Sequence, residues 1–241
     1  MTCEGNGWQV ICGRWQDSPP DEVDHVISDP PFDTRTHRGA SVELRRAAGF
    51  SFDAIEPGDI APGLLSVARR WVLCFCAAEA LGGYSSAVGG AWTAGGCYVR
   101  SGIFLKSNPM PQFTGDRPAM AGETIAIMHS REGERLRWNG GGKAGLWSGP
   151  SVMSGRVHET EKPLWLMREL IEAFTDPGDL VWDPYGGSMT TGVACLQLGR
   201  RFVGHEVQER YAAVGAERLR AEANGLSLRA ARAGQLPLFS G

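Results

Sequence analysis

The chain has 241 residues, and 42% of them are hydrophobic, so it can bury the core of one sizeable α/β domain. A formal net charge of −3 argues mildly against binding nucleic acid through overall positive charge, but it does not exclude a basic face. No signal peptide and no apolar run of membrane-spanning length are found, which predicts a cytoplasmic protein without a membrane segment.

Apolar runs separated by turn residues predict strands and helices that alternate along the chain. The predicted strands are 8–15, 21–28, 71–76, 97–106, 123–129, 180–185 and 201–206. The predicted helices are 60–70, 78–94, 161–174, 190–198 and 208–223. Between them, 33–58 is predicted to be a mobile basic loop, and 130–157 has no clear period. The alternation predicts an α/β fold, with a parallel or mixed sheet and helices on both faces.

The six cysteines do not suggest a metal site. They lie mostly in apolar runs, and no two have the C-x-x-C spacing of zinc ligands. Buried small hydrophobic residues are the simpler interpretation. No metal is therefore predicted.

An unusual segment follows the second predicted strand. Val26 and Ile27 suit a buried strand, and the chain then continues as Ser28, Asp29, two prolines and an aromatic ring. Two consecutive prolines fix φ twice and remove two backbone donors. The residues Asp29, Pro30, Pro31 and Phe32 therefore predict a rigid strand exit that presents an acid and a ring. A proline-stiffened exit with an Asp cap is the structural alternative.

The segment 180–206 has the pattern of a nucleoside-binding site. Asp183 closes one strand, Gly186 and Gly187 allow a close approach of the backbone, and a helix begins near Thr190. Glu206 closes the next strand, 23 residues after Asp183, where an acid can accept both hydroxyls of a ribose. The dinucleotide and Walker patterns are absent, and no basic residue lies between 185 and 197. This favours S-adenosylmethionine, which has no phosphate, as the cofactor.

Together these motifs resemble those of the amino-group DNA methyltransferases, the N6-adenine/N4-cytosine family. Residues 29–32 are similar to the family's D-P-P-Y/F motif, and 183–192 to its D-P-F-x-G-S-G-T-T-G cofactor loop. Between them, 158–163 is similar to its H-P-T-x-K-P element, which packs beside the methionine end of the cofactor. The resemblance runs from about 8 to 220. It implies catalytic roles for Asp29, Pro30, Pro31 and Phe32, and cofactor binding by Asp183, Tyr185, Gly186, Gly187, Ser188, Thr190, Thr191, Glu206, His158 and Lys162.

The order of the motifs resembles the permuted β-class arrangement, because the catalytic motif precedes the cofactor loop. Relatives that methylate protein glutamine or RNA guanine usually have the opposite order. The resemblance implies a Rossmann-like methyltransferase fold, with a mixed sheet and a small inserted target-recognition segment. The predicted parts are a catalytic half at 1–105, the recognition insertion at 106–157, a cofactor-binding half at 158–225 and a tail at 226–241.

Two positions depart from the family pattern: Met189 replaces the second glycine of the loop, and Glu159 replaces the proline of H-P-T. If residue 189 needs a positive φ or no side chain, cofactor binding suffers. If its φ is negative, the methionine simply packs.

The predicted chemistry is transfer of a methyl group to the exocyclic amine of a flipped base. The side chain of Asp29 and the backbone carbonyl of Pro30 would accept from the amine, and Phe32 would stack on the base. Methylation at cytosine C5 is excluded, because that family uses a Pro-Cys pair and none is present. Adenine N6 is favoured over cytosine N4, because the family's cytosine members more often have S-P-P-Y. The alternative is a catalytically weak DNA-binding protein that lost cofactor affinity through Met189.

Double-stranded DNA is the predicted partner. Phosphate contacts are predicted from the basic loop and from the recognition segment, which carries seven basic against four acidic residues. The residues predicted to contact phosphates are Arg35, Arg38, Arg45, Arg46, Lys106, Arg117 and Lys143. Residues Gln235–Phe239 (QLPLF) are similar to bacterial sliding-clamp binding peptides, with a tail packed on its own domain as the alternative. A homodimer is expected by analogy with β-class relatives.

Overall fold

The computed structural model describes residues 1–31, 55–89, 96–130, 136–152 and 161–235. Within these ranges the strands are β1 (Thr2–Gly5), β2 (Trp8–Cys12), β3 (His25–Ser28), β4 (Trp71–Cys76), β5 (Cys97–Lys106), β6 (Gly122–His129), β7 (Leu146–Gly149), β8 (Leu180–Asp183) and β9 (Arg201–Glu206). The helices are α1 (Pro57–Val67), α2 (Leu81–Ala87), α3 (Leu164–Phe174), α4 (Thr190–Gln197), α5 (Glu209–Ala223) and α6 (Leu228–Arg232). None of these helices has the length and apolar character to cross a membrane.

The described strands form one mixed sheet in the order β1-β2-β9-β8-β3-β4-β6-β5-β7. The five strands from β2 to β4 run parallel to one another. Strand β6 is antiparallel to both of its neighbours, and β1 is antiparallel to β2. The carboxyl ends of β3, β8, β9 and β4 therefore lie along one edge of the sheet, together with the amino end of β6. Ligand sites of open α/β sheets lie at this carboxyl edge.

Helices cover both faces of the sheet, as the alternation of elements predicted. Helices α3, α4 and α5 pack on one face around Leu170, Phe202 and Leu219. Helices α1 and α2 pack on the other face around Leu64 and Trp182. The predicted mixed α/β fold with helices on both faces is confirmed.

Several predicted boundaries differ for local reasons. Helix α1 begins at Pro57 rather than near residue 60, because proline suits the first helical turn and Glu56 before it is extended. It ends at Val67, because Ala68 is extended and forms a parallel bridge with Val23. Helix α3 begins after the extended Pro163 rather than at residue 161. The predicted strand 8–15 ends at Cys12, and Trp15–Asp17 is a 3₁₀ turn.

The segment 106–157 does not form a unit separate from the sheet. Strand β6 lies between β4 and β5, and β7 pairs in parallel with β5. Of this segment's described residues, only 107–121, 130, 136–145 and 150–152 lie outside the sheet. Among the described residues, a recognition insertion would consist of these connections, and both its bounds and its role in target recognition stay predictions.

Met189 resolves the question raised by the missing loop glycine. It caps α4 with φ +60° and ψ 37°, so this position does need the left-handed conformation. Its side chain is fully buried, away from the loop surface. It fills space that three glycines leave open: a Cβ at Gly186 or Gly204 would lie within 2.5 Å of the Met189 sulfur, and one at Gly215 would lie 2.4 Å from Cγ. Left-handed backbone costs a non-glycine residue about 1–3 kcal/mol, and burial of the thioether offsets this cost.

We expect the effect of Gly215→Ala on stability to change sign with residue 189. In the native protein the new methyl group meets Met189 and should lower the free energy of unfolding by about 1–3 kcal/mol. In a Met189→Gly background the clash is gone, and replacing a helical glycine should raise stability by about 0.5–1 kcal/mol. Urea unfolding of the four proteins measures both effects.

Gly82→Ala is the control, because a Cβ at this helical glycine meets nothing within 4 Å. Its effect should be the same in both backgrounds. If Gly215→Ala had the same effect in both backgrounds as well, the packing of Met189 against Gly215 would be refuted.

Candidate active site at the carboxyl edge of the sheet

The two acids of the predicted motifs lie at the ends of neighbouring parallel strands. Asp183 is the last residue of β8, and Asp29 follows the last residue of β3, to which β8 pairs in parallel. Ser28 connects the two motifs directly, because its hydroxyl donates a 2.8 Å hydrogen bond to Oδ1 of Asp183. Residues that are 155 positions apart in the sequence thus share one site.

Both oxygens of the Asp183 carboxylate accept hydrogen bonds. Oδ1 also accepts the backbone N–H of Tyr185 at 3.1 Å, and Oδ2 accepts the Thr191 hydroxyl at 2.6 Å. Burial raises the pKa of Asp183 to about 6, although these hydrogen bonds act in the opposite direction. The geometry gives Asp183 the work of holding the loop 184–191 against the sheet.

Glu206 orders the other side of the same loop. Its Oε2 accepts the N–H of Gly187 at 3.0 Å, and Oε1 accepts the N–H of Gln208 at 2.7 Å. Burial raises its pKa, and the hydrogen bonds from the backbone oppose the rise. Each carboxylate oxygen can accept a further hydrogen bond, so Glu206 keeps acceptor capacity for ligand hydroxyls. Gly187 has φ +52°, which suits a tight loop that passes close to a ligand.

Arg218 of α5 was not predicted as a site residue, but it supports the cofactor loop from behind. Its Nη1 donates to the Ser188 carbonyl at 2.9 Å and to the Ser188 hydroxyl at 2.8 Å. Its Nη2 lies 2.9 Å from a Glu161 oxygen that also accepts the Thr190 hydroxyl at 3.2 Å. The sequence offered no signal for this role, because Arg218 lies in an ordinary helix 26 residues beyond the end of the motif at 192.

Asp29 has a mixed environment. Its Oδ2 lies 2.5 Å from the ammonium nitrogen of Lys162. Its Oδ1 is buried and has no hydrogen-bond partner among the residues that the structure describes. Burial raises the pKa of Asp29, Lys162 lowers it and Glu123 raises it. An unpaired buried acceptor is costly, so Oδ1 is a natural place for a donor from a ligand.

Some of the remaining predicted residues contact other side chains, some are exposed, and some lie outside the described ranges. The hydroxyl oxygen of Tyr185 accepts a hydrogen bond from the Trp15 indole N–H at 2.9 Å, and the Lys106 ammonium pairs with Glu123 at 2.5 Å. Arg117 is exposed beside Asp116, and Lys143 is exposed. Those outside the described residues are Phe32, Arg35, Arg38, Arg45, Arg46, His158 and the peptide 236–239.

The acceptors at this edge fit S-adenosylmethionine. Glu206 offers an acceptor-only group of the kind that binds ribose hydroxyls. The described loop residues 184–191 carry no cation, and the nearby Arg218 is committed to Glu161 and Ser188. Among the described residues, the loop thus offers no side-chain cation to pair with a phosphate, which favours a cofactor without one. No group of three described His, Cys, Asp or Glu side chains is arranged to hold a metal ion.

Removal of the Ser28 hydroxyl should destabilise the protein in a pH-dependent way. Ser28→Ala takes one of three donors from a buried carboxylate, and we expect the free energy of unfolding to fall by about 1.5–3 kcal/mol near pH 8. The pKa of Asp183 in the folded state should rise further. A carboxyl whose pKa is higher in the folded than in the unfolded state lowers the free energy of unfolding as the pH rises and the group ionises. The destabilisation by Ser28→Ala should therefore be smaller at pH 4.5, where Asp183 is protonated in the folded protein.

Urea unfolding at the two pH values tests this expectation. Ser66→Ala is the matched control, because that hydroxyl donates to the Gly63 carbonyl on an exposed helix surface. It should change stability by less than about 0.5 kcal/mol. An equal loss for Ser28→Ala at both pH values would contradict the coupling to Asp183.

Comparisons with known proteins identify the family of the chain. Residues 94–217 match a family model described as DNA methylase, of the N6/N4 methyltransferase type. The type II methyltransferase M.XycI of Xanthomonas campestris pv. cyanopsidis is 34% identical over 138 residues, which are 53% of this chain and 46% of M.XycI. The chain thus matches less than half the length of that relative.

Solved structures share the fold. A complex of M1.HpyAVI with SAM superposes with a TM-score of 0.65 at 22% identity, covering 88% of this chain and 100% of that one. The cytosine-N4-specific PvuII DNA methyltransferase also has a TM-score of 0.65, at 16% identity, covering 92% of this chain and 89% of that one. The family match includes more than half of the chain, together with the loop 183–192. The chain belongs to the N6/N4 DNA methylase family.

Proposed function

We propose that this protein transfers a methyl group from S-adenosylmethionine to the exocyclic amine of a flipped DNA base. The observation that carries the proposal is the buried Oδ1 of Asp29, which has no hydrogen-bond partner among the described residues and lies at the sheet edge that also holds the loop 184–191. A base amine is a donor, and Oδ1 is an acceptor for which these residues supply no donor. The family match and the fold shared with a SAM complex support the cofactor.

The residues of this chain would position the reactants. Bound S-adenosylmethionine supplies an electrophilic methyl group on its sulfonium. The exocyclic amine is a weak nucleophile, because its lone pair is delocalised into the ring. A hydrogen bond to Asp29 Oδ1, together with one to the Pro30 carbonyl, would draw the amine toward tetrahedral geometry and direct its lone pair. As the methyl carbon bonds to the amine nitrogen, its bond to sulfur would break with the electron pair leaving on sulfur, and the amine proton, made acidic by this step, would pass to Asp29 or to water. A strong general base is therefore not required.

Phe32 and the basic loop extend this proposal to the base and the duplex. Phe32 would stack on the flipped base, and Arg35, Arg38, Arg45 and Arg46 would contact phosphates beside it. These residues lie outside the described ranges, so their support is the sequence alone. Arg117 and Lys143 are exposed, as phosphate contacts require.

Adenine N6 is the favoured target, because residues 29–32 have the acidic form of the motif rather than S-P-P-Y. Cytosine N4 is the alternative, and the N4-specific PvuII enzyme shares the fold. The weak-binding alternative depended on damage to the cofactor loop by Met189. Its side chain points into the core between glycines, which favours an intact loop.

Nucleoside mass spectrometry of DNA from methylation-deficient cells that express the protein tests the proposal. We expect N6-methyladenine with the native protein and at least a hundredfold less with Asp29→Asn, because the amide presents a donor or loses the Lys162 pairing. Asp21→Asn is the matched control: it is exposed and precedes β3 at the opposite edge. Detection of N4-methylcytosine in place of N6-methyladenine would show that the target base is cytosine. If the protein is soluble and the DNA contains neither methylated base, the proposed activity is refuted.

Glu206→Gln should weaken S-adenosylmethionine binding by roughly 10- to 100-fold in isothermal titration. The amide replaces one acceptor oxygen with a donor, so a hydrogen bond to a charged group worth about 1.5–3 kcal/mol is lost. The exposed Glu4→Gln of β1 is the control and should bind like the native protein. Native affinity in Glu206→Gln would remove Glu206 from the cofactor site.

A further inference from the structure

Four charged side chains of alternating sign form a row at the carboxyl edge, and we name it the charge row: Lys106, Glu123, Lys162 and Asp29. Lys106 Nζ lies 2.5 Å from Glu123 Oε1, Lys162 Nζ lies 3.0 Å from Glu123 Oε2, and Lys162 Nζ lies 2.5 Å from Asp29 Oδ2. None of the four is more than 21% exposed. The row has no net charge, which suits a partly buried site.

The strand directions explain why these residues meet. Asp29 follows β3, and Lys106 ends β5. Glu123 is the second residue of β6, which is antiparallel to β4 and β5, so the amino end of β6 lies at the edge where those strands finish. Lys162 precedes α3, and its ammonium group lies 4.8 Å from the centroid of the Phe75 ring. An aromatic face next to the ammonium adds a cation–π contact to the two ion pairs.

Glu161 and Lys162 are neighbours of opposite charge that serve opposite sides of the site. Glu161 contacts Thr190 of the cofactor loop and Arg218, whereas Lys162 contacts Asp29 and Glu123. This two-residue segment therefore links the loop to the catalytic motif. In the row, Lys162 occupies Oδ2 of Asp29 and leaves Oδ1 without a partner among the described residues.

We propose that Lys162 is a positioning residue: it fixes Oδ2 of Asp29 so that Oδ1 faces the target amine, and Glu123, backed by Lys106, holds Lys162 in place. This inference rests on the proposed function. It assigns to Lys162 a role different from the cofactor binding that the sequence suggested. It also brings Glu123 into the site, which had been counted only among the acids of the recognition segment.

Charge near Asp29 makes the proposal measurable. The described titratable groups that face Asp29 are Lys162, Glu123, Lys106, Asp183, Cys74 and Cys76. After burial, Lys162 has the largest effect and lowers the pKa of Asp29, and Glu123 raises it. Loss of Lys162 should therefore raise this pKa, and loss of the Glu123 charge should lower it.

The experiment is the pH dependence of single-turnover DNA methylation by the full chain, combined with isothermal titration of S-adenosylmethionine. Methylation requires an ionised Asp29, so the pH at which the rate falls on the acidic side of the profile reports the pKa of this carboxyl. In Lys162→Met the midpoint of this fall in rate should shift to higher pH by about one unit or more, and in Glu123→Gln it should shift to lower pH. Lys162→Arg should restore much of the rate. Cofactor affinity of Lys162→Met should stay within about threefold of native if the ammonium does not touch the cofactor.

Arg69→Met is the charge-matched control, because it removes an exposed cation at the opposite edge, before β4. It should leave the acidic midpoint of the pH–rate profile unchanged. The proposal would be overturned by an unchanged midpoint in Lys162→Met, or by shifts in the same direction in Lys162→Met and Glu123→Gln. Normal rates combined with cofactor affinity more than tenfold weaker would return Lys162 to the cofactor site.

A second readout does not need activity. The ¹³C carboxyl titration of Asp29, assigned with Asp29→Asn, should show the same opposite shifts in Lys162→Met and Glu123→Gln. If the native protein methylates no DNA, the proposed function fails on its own. If the native protein is active and the Asp29 titration is unchanged in Lys162→Met, only the positioning role fails.

Discussion

The site depends on the burial of two carboxylates, Asp29 and Asp183, at the ends of adjacent parallel strands. Burial of a charge without compensation is very costly, and the structure compensates the two acids in different ways. Asp183 receives three hydrogen bonds from Ser28, Tyr185 and Thr191. Asp29 receives one ammonium group, and its other oxygen has no hydrogen-bond partner in the part of the chain that the structure describes. Hydrogen bonds to both oxygens suit a structural support, and an oxygen without a partner suits a group that accepts from a ligand.

Two pairs of adjacent residues connect the surroundings of Asp183 with those of Asp29. Ser28 bonds to Asp183 while its neighbour Asp29 bonds to Lys162. Glu161 bonds to the cofactor loop while its neighbour Lys162 bonds to Asp29. The cofactor loop and Asp29 are therefore connected through two short stretches of backbone.

The cofactor loop shows how one unfavourable residue is accommodated. A left-handed methionine contradicts the local preference for glycine, and its side chain needs space that three glycines provide. Two of these glycines lie on β9 and α5, outside the loop motif. The strained position and its compensation are thus spread over elements that meet only in the folded chain.

The sequence by itself determined the element types, the α/β class and the two acidic motifs, because strand patterns and strand-to-loop junctions are local features. It did not indicate the edge strand β1, strand β7 or the short helix α6, since four or five residues with mixed burial have no clear period. It also could not identify the partner of Lys162, the role of Glu123 or the support from Arg218. Those contacts arise only when antiparallel β6 brings its amino end beside the carboxyl ends of the parallel strands. Which charges neutralise one another depends on that strand order, and only the tertiary structure determines it.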